Sequence, residues 1–381
     1  MAFELTQEQK DLQRLAREFT EKEIIPIAQE YDEKEEVPWD LIPKAHAAGL
    51  MNLNIPVEYG GQGLDHVTEL IVSEELSRGC AGIATMLGAN GLAVTPILIA
   101  GTEEQKRKYL TYLCEKPRLA AFGLTEPDAG SDVASIATTA TPDGNSYILN
   151  GVKHFITNGG IADLYTIFAT VDRSRGVRGI SAFIVPGDTP GLRMGKKERK
   201  MGIRASHTGE VILEEVRVPK ENLLGNEGQG FRIAMQTLDR TRPGVGIQGV
   251  GIARAAYEAA VKYAKERIQF GKPIAANQAI QFMLADMAML IDAARLLCWR
   301  AAWQIDAGNP SSLAGSMAKA FATDVAMKVT TEALQIFGGY GYMRDYPMEK
   351  YMRDAKIHQI FEGTNQIQRV VMSANILQGR L

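Results

Sequence analysis

Little in this chain is suited to cross-linking or to holding a metal. Only three cysteines occur in 381 residues, Cys80, Cys114 and Cys298. Their odd number and wide spacing speak against a disulfide framework and against a thiolate metal site. The five histidines, His46, His66, His154, His207 and His358, are equally scattered. None falls into the close His/Cys/carboxylate spacing that a metal requires, so no metal ligands are expected. An excess of one charge is also lacking, with 42 basic against 45 acidic residues and a formal net charge of -3. Such a balance gives no general attraction to nucleic acid or to anionic membranes. Any anionic ligand must therefore be held by local arginines and lysines. Residues 81–102 carry no charge, but Gly82, Gly88, Asn90, Gly91, Pro96 and Gly101 interrupt them. No membrane span is expected there; a buried helix lining a pocket is. Met1-Ala2-Phe3-Glu4-Leu5-Thr6 runs straight into a charged helical pattern without signal-peptide architecture. A reducing, cytoplasmic setting is expected.

What is present is ordinary globular composition, 45% hydrophobic and 23% charged. The length suits roughly two or three domains, with enough core to need no staples. Three zones are visible, at 1–119, 120–228 and 229–381. The first has helical periodicity, with Leu12, Leu15, Ala16 and Phe19 recurring at helix spacing after the start signal Thr6-Gln7-Glu8-Gln9. Pro26, Pro38 and Pro56 punctuate it, and 103–112 reads as a charged, exposed helix. In the second zone, 146–149, 164–169, 180–185 and 211–213 read as strands. Asp143-Gly144 and Asn150-Gly151 are hairpin signals. The third zone returns to helical spacing at 252–269, 279–308 and 313–337, which suggests a bundle. The fold class is thus mostly α with a central, mostly antiparallel β-domain.

A decoy must be removed first. Gly244-Val245-Gly246-Ile247-Gln248-Gly249 matches the GxGxxG string of dinucleotide-binding folds. That string requires a strand before it and a helix after it. Here 231–242, which precedes it, reads as helix and is followed by Pro243. Close approach of two helices over small residues is the better reading.

Three clusters carry chemistry. Glu362 sits in a short break after the helical 351–359, with Ile360 and Phe361 on one side and Gly363 on the other. A glutamate in a loop is ordinarily solvated. Apolar neighbours and a close-packing glycine can instead desolvate it, which raises its proton affinity toward the range of a general base. Leu124-Thr125-Glu126-Pro127-Asp128-Ala129-Gly130-Ser131-Asp132 is dense in hydroxyls, carboxylates and turn formers, and by itself is equally a capped turn. Phe155 and Thr157, two apart on a strand that ends in a glycine turn, would share one face. They could stack on and hydrogen-bond a flat ring, or be plain core and turn.

Together with Arg267-Ile268-Gln269-Phe270-Gly271-Lys272, Gln335-Ile336-Phe337-Gly338-Gly339-Tyr340-Gly341, Arg353-Asp354-Ala355-Lys356 and Glu362-Gly363-Thr364-Asn365-Gln366-Ile367-Gln368-Arg369, these clusters run in order along the chain. The whole resembles the acyl-CoA dehydrogenase family, most of all its medium- and short-chain members. The resemblance implies an N-terminal helical domain, a middle β-domain and a C-terminal four-helix bundle, assembled as a homotetramer. It implies noncovalent FAD. Phe122, Leu124, Thr125, Gly130, Ser131, Phe155, Ile156 and Thr157 would line the flavin. Most members have Trp where this chain has Phe155, which keeps the aromatic face and lacks the indole N–H. Arg267, Gln269, Phe270 and Gln278, with Gln335, Gly338 and Gly339, would hold the adenosine and pyrophosphate half across a subunit boundary. A guanidinium fork suits pyrophosphate. Thr364 and Gln366 would complete the cofactor site. Ser131, Asp239, Arg242, Glu362 and Gly363 would contact the acyl-CoA, with Asp239 and Arg242 toward the CoA adenine. The bland alternative for Arg242 is a helix-surface ion pair with Asp239.

By the same resemblance, Glu362 takes the α-proton of the thioester while the β-hydrogen leaves as hydride to flavin N5. The product is a trans-2-enoyl-CoA, as in fatty-acid β-oxidation, and an electron-transferring flavoprotein reoxidises the cofactor. Some members carry the glutamate on the bundle helix instead, where this chain has Thr241, so Glu362 is the sole candidate base. The uncharged 84–100 stretch lacks the arginine of glutaryl-type members, which favours a neutral short, medium, branched or cyclic acyl group. An acyl-CoA oxidase-type flavoenzyme and a glutaryl-type dehydrogenase are the rival enzymes. A DNA-binding flavoprotein and a plain helical scaffold are the rival non-enzymes.

Overall fold

The computed structural model describes residues 4–379. Helix α1, Gln7–Phe19, starts where the sequence signals it: the Thr6 hydroxyl accepts from the Gln9 N–H, and the Gln9 side chain accepts from the Thr6 N–H. This reciprocal pair satisfies two donors that the helix leaves open. Pro26 does not stop the chain from continuing. A π-turn, Thr20–Ile24, leads into α2, Ile25–Lys34, and places Pro26 in its first turn, where no intrahelical N–H is needed. Helices α3, Leu41–Ala47, α4, His66–Gly79, α5, Ala81–Ala100, and α6, Glu103–Cys114, follow. The glycines and Pro96 do not break α5. By length and composition it could cross a membrane, yet 67% of its apolar window is buried inside the protein. It packs against α4 and α6, and across the chain against the later strands and helices. A helix apolar on all sides belongs in such a core.

The middle zone forms one sheet of eight strands. These are β1, Ala120–Gly123, β2, Thr139–Asp143, β3, Ser146–Thr157, β4, Leu164–Thr170, β5, Ile180–Pro186, β6, Leu192–Lys197, β7, Thr208–Pro219, and β8, Leu223–Leu224. Their order is β6-β7-β3-β2-β4-β5-β8, mostly antiparallel, with β1 added parallel to β4. Asp143-Gly144 does turn β2 into β3, pairing Asp143 with Ser146. Asn150-Gly151 does not turn. It lies inside β3, where the register against β7 shifts between Leu149 and Gly151. Gly151 has φ +153, and a Cβ there would lie 2.5 Å from the Thr138 hydroxyl, so this glycine serves a bulge rather than a hairpin. A second shift falls between Lys153 and Ile156, with Phe155 at φ +58. The plain alternation expected for Phe155 and Thr157 is therefore interrupted. Phe155 is turned out of the sheet and is 61% exposed.

The last zone holds the long helices. They are α7, Gly230–Glu266, α8, Gln278–Asp306, α9, Ser312–Phe337, α10, Gly339–Tyr342, α11, Met348–His358, and α12, Asn365–Leu377. Between α7 and α8 a small hairpin pairs β9, Ile268–Gln269, with β10, Lys272–Pro273. Pro243 was expected to follow a helix end, but it sits inside the continuous α7. The GxGxxG string lies mid-helix too. A Cβ on Gly246 would lie 2.7 Å from Cys298 Sγ and 3.2 Å from the Ala318 carbonyl; one on Gly249 would lie 3.3 Å from the Ala322 carbonyl. The string lets α7 approach α8 and α9, and no strand precedes it. Arg254 on α7 pairs with Glu74 and Glu75 of α4 at 2.7 and 2.6 Å, and Arg17 and Arg295 close the cluster. This ties the first helices to the bundle.

Glu126, from the hydroxyl-rich loop, is structural. Its carboxylate accepts from the Ala137 and Thr138 N–H groups and pairs with the fully buried Lys153 at 2.6 Å. Burial opposes its charge, but Lys153 and these bonds win and hold the carboxyl below its ordinary range. Replacing Lys153 by Met should leave a buried, unpaired carboxylate. We expect a loss of about 3–5 kcal/mol in urea unfolding, and a Lys153→Met protein as stable as the parent would refute that role for the pair.

Candidate active site

Where the sheet, α4, α5 and the bundle meet, a cavity of about 320 Å³ opens. Glu362 lines it from the break between α11 and α12. The backbone there is unusual: Glu362 has φ +50 and Gly363 φ +87. For a non-glycine residue the left-handed region is strained unless the surroundings enforce it. They do so through donors aimed at the carbonyls. Gln368 Nε2 donates to the Glu362 and Gly363 carbonyls at 3.2 and 2.9 Å, and Lys319 Nζ donates to the Gly363 carbonyl at 2.8 Å. Lys319 also donates to Asn365 Oδ1 at 2.9 Å. The Asn365 amide donates in turn to Ala320 O, Thr323 Oγ1 and Asp324 Oδ1. The loop is thus bolted to α9.

The carboxyl end is equally defined. Thr241 Oγ1 donates to Glu362 Oε2 at 2.8 Å. The position where other family members would carry a base, and the base expected here, therefore meet in space. Burial drives the Glu362 proton affinity up; the Thr241 hydroxyl and the charges of Lys319 and Arg242 pull it down. Burial wins, and the carboxyl lies above its ordinary range. Glu362 keeps some accessible surface, and it is a wall of the cavity. Arg242 is 4% exposed and donates to Asp239 at 2.8 Å. The ion pair thought possible at a helix surface exists, but inside the protein. Arg242 stands close enough to Glu362 to act on its charge and lines the same cavity.

Of the residues expected from sequence, Phe122, Leu124, Thr125, Gly130, Ser131, Phe155, Ile156, Thr157, Arg242, Glu362 and Gly363 line this one cavity. Arg267, Gln269, Gly338 and Gly339 line a second cleft of about 510 Å³ at the β9–β10 end of the bundle, where the Arg267 guanidinium lies over the Tyr340 ring. Gln278 and Gln335 are exposed beside neither, and Phe270, at the hairpin tip, is 98% exposed. Thr364 caps α12, accepting from the Ile367 N–H, and Gln366 is exposed outside the cavity. Asp239 reaches the cavity only through Arg242. Sequence reasoning did not find Lys319, Gln368 or Glu69. Lys319 acts through a contact 44 residues away that no local pattern announces, Gln368 through a side chain folded back on its own turn, and Glu69 reads as an ordinary polar residue on α4.

An isoalloxazine fits the first cavity. The turned-out Phe155 ring offers a flat apolar face beside the Thr125 and Thr157 hydroxyls, and a Cβ on Gly130 would meet nothing within 4 Å. Around the second cleft, Gly338 and Gly339 are equally open and Arg267 supplies a cation. Metal chemistry has less support. His154, Glu198 and Glu210 gather, but the two ring nitrogens of His154 face different carboxylates, Nδ1 toward Glu210 at 3.2 Å and Nε2 toward Glu198 at 3.7 Å.

Family models match along the chain: acyl-CoA dehydrogenase N-terminal domain at 6–117, middle domain at 121–216 and C-terminal domain at 228–377. An acyl-CoA dehydrogenase of Bacillus subtilis (strain 168) is 49% identical over 376 residues, covering 98% of this chain and 99% of its own length. A short-chain specific acyl-CoA dehydrogenase of Megasphaera elsdenii is 49% identical, covering 99% of this chain and all (100%) of its own. The structure of butyryl-CoA dehydrogenase from Megasphaera elsdenii superposes with TM-score 0.97 at 48% identity, over 99% of this chain and 100% of that one. A chain from work on the electron transferring flavoprotein of Acidaminococcus fermentans does so with TM-score 0.97 at 53% identity and the same coverage. The fold and site are those of a flavin-dependent oxidoreductase acting on acyl-CoA. This chain belongs to the acyl-CoA dehydrogenase family.

The turn at Gly363 is the most sensitive point of the site. A Cβ there would sit 2.7 Å from Gln368 Nε2 and would be held at positive φ. Gly363→Ala should therefore push the Gln368 amide off both carbonyls, at a cost of about 1–3 kcal/mol. Amide hydrogen exchange across 359–368 should accelerate by roughly tenfold or more. Unchanged exchange would show that the turn tolerates a side chain.

Proposed function

We propose that this enzyme dehydrogenates a neutral short- or medium-chain, branched or cyclic acyl-CoA to its 2-enoyl-CoA, with Glu362 as the base. The observation that carries the proposal is a desolvated carboxyl that shares a cavity with Phe155 and Thr157. An α-hydrogen of a thioester is weakly acidic, so a base needs raised proton affinity and reach. Glu362 has the first by burial, and the Thr241 bond fixes the orientation of its carboxylate. The carbonyl of the thioester needs donors where enolate charge develops. The Glu362 N–H has no acceptor among the described residues, which leaves it free to bond that oxygen. FAD, when bound, supplies a two-electron acceptor for the β-hydrogen. Phe122, Leu124, Thr125, Gly130, Ser131, Phe155, Ile156 and Thr157 would hold its ring end. Arg267, Gln269, Gly338 and Gly339, presented by a neighbouring subunit with Phe270, Gln278 and Gln335, would hold the phosphate end of a homotetramer's site. The separation of the two clefts within one chain supports that sharing.

The acyl end of the cavity argues for neutral substrates. Its α4 and α5 wall offers Glu69, Ser73, Thr85, Gly88, Ala89 and Gly91, with no arginine. His66 is engaged by Asp306 at 2.8 Å. Burial pushes the Glu69 carboxyl up. On that wall a distal substrate carboxylate would meet a like group, which is costly, and the nearest cation lining the cavity outside the wall is Arg240 of α7. The domains divide in this reading at 1–119, 120–228 and 229–381, following the exchange of helix for strand and back. An electron-transferring flavoprotein is the acceptor, in keeping with the Acidaminococcus neighbour. Fatty-acid β-oxidation in the cytoplasm is the setting, in keeping with three free, buried thiols.

Anaerobic addition of straight, branched, cyclic and glutaryl acyl-CoAs to the flavin-loaded protein tests this. Neutral thioesters should bleach the flavin and glutaryl-CoA should not. Glu362→Gln should lose at least about a hundredfold to ten-thousandfold in bleaching rate while keeping its yellow cofactor. Normal turnover by that variant removes Glu362 from the mechanism, and peroxide formed under air without an acceptor turns the reading toward an oxidase.

A further inference from the structure

Lys319 is fully buried on α9, yet no carboxylate stands within ion-pairing distance of its Nζ among the described residues. A buried ammonium without a paired acid is unfavourable, and a methionine would fill the same space without charge. Its two bonds show where the charge is used. One goes to the carbonyl of Gly363, the residue after the base, at 2.8 Å; the other goes to Asn365 Oδ1 at 2.9 Å, the hub that fixes the start of α12. We propose that Lys319 is the positioning residue of the base: bonded to the Gly363 carbonyl and to Asn365, it clamps the left-handed turn that carries Glu362. This rests on Glu362 being the base.

The groups that face this pair can be named. Glu362 meets the Thr241 hydroxyl and Arg242 from α7 and Lys319 from α9. Lys319 senses Glu362, Arg242 and Asp324, the last already occupied by Arg369, Gln359 and Asn365. His358 of α11 is kept neutral by burial, down to about 4, with Lys319 adding to that effect. Arg242 is answered by Asp239, so Lys319 is the cation near Glu362 that has no carboxylate within ion-pairing distance among the described residues. Burial pushes its ammonium down to about 7. The charge is therefore present in neutral and mildly acidic solution and fades above. A neutral amine can still donate to the Gly363 carbonyl, so the clamp outlasts the charge.

The sign of the effect follows. A cation beside Glu362 lowers its proton affinity, so removing it leaves less of the base ionised at low pH. Above the range where Lys319 is itself neutral, the difference vanishes. The test uses the flavin-loaded protein and bleaching rates from about pH 6 to about pH 9 with a neutral acyl-CoA that reduces the parent. Lys319→Gln keeps size and one donor without charge; Lys319→Met removes both. Lys319→Gln should bleach roughly tenfold more slowly than the parent near pH 6 and within about threefold of it near pH 9. Its flavin content should be unchanged. Lys319→Met should in addition speed hydrogen exchange at the Glu362 and Gly363 amides. A Lys319→Gln profile that superposes on the parent's, or that is lowered equally at every pH, overturns the proposal. A parent protein bleached by no acyl-CoA overturns the underlying function instead.

Discussion

Removing the Glu362 carboxyl from water raises its affinity for a proton, and every other feature of the site answers that fact. In the role proposed for it, the group must stay dry enough to be a useful base, yet ionisable enough to act as one. Thr241 at 2.8 Å, Lys319 and Arg242 each favour the charged form, and burial outweighs them. The balance depends on a backbone turn that few sequences would adopt unaided, with φ +50 at Glu362 and +87 at Gly363. Its carbonyls are held by Gln368 and Lys319, and these in turn are set by α9 and α12. The chemistry of one side chain thus reaches back into the packing of the bundle.

That packing explains the small residues of α7. Gly246 lets α7 lie against α8 at a distance that a methyl group would forbid, and Gly249 brings it against α9 where one would be tight. Without that approach, Thr241 on α7 and Lys319 on α9 could not both act on Glu362. The same helix contributes Arg254 to the ion cluster with Glu74 and Glu75, so α4, which supplies the acyl wall, is registered against the helix that supplies Thr241. On the opposite side, the bulge in β3 turns Phe155 out of its sheet and into the cavity. The sheet brings an aromatic face, the bundle brings a carboxylate, and the space between them is what a thioester on a flavin requires.

Much of this could be read from the sequence, for identifiable reasons. Capping at Thr6, the strand zone and the long helices are local signals, and local rules place them. Glu362 stands out in the sequence because apolar neighbours and a glycine flank it, and its role as base comes from the family resemblance. The misreadings share a cause: each treated a residue as local punctuation where tertiary packing decides. Pro26 and Pro243 lie within helices, the first after a π-turn, whereas the buried helix expected over Pro96 is present. Asn150-Gly151 marks a bulge because Thr138 crosses too closely for a side chain. The pairing of Arg242 with Asp239 follows from their spacing, but its burial beside Glu362 does not. Lys319 was invisible, since a lysine among alanines on a helix gives no sign that its far end meets a loop 44 residues away.

The central claim is geometric: one shielded carboxyl faces the carbon next to a thioester carbonyl, with a flat redox ring on the other side. A crystal structure of the flavin-loaded protein with an unreactive thioether analogue of a neutral acyl-CoA tests it directly. The account predicts a Glu362 oxygen within roughly hydrogen-bonding reach, about 3 Å, of the carbon that would lose the proton, with the Thr241 hydroxyl still bonded to the other oxygen. An analogue bound elsewhere, or Glu362 turned into bulk solvent away from the ring with ligand in place, contradicts it.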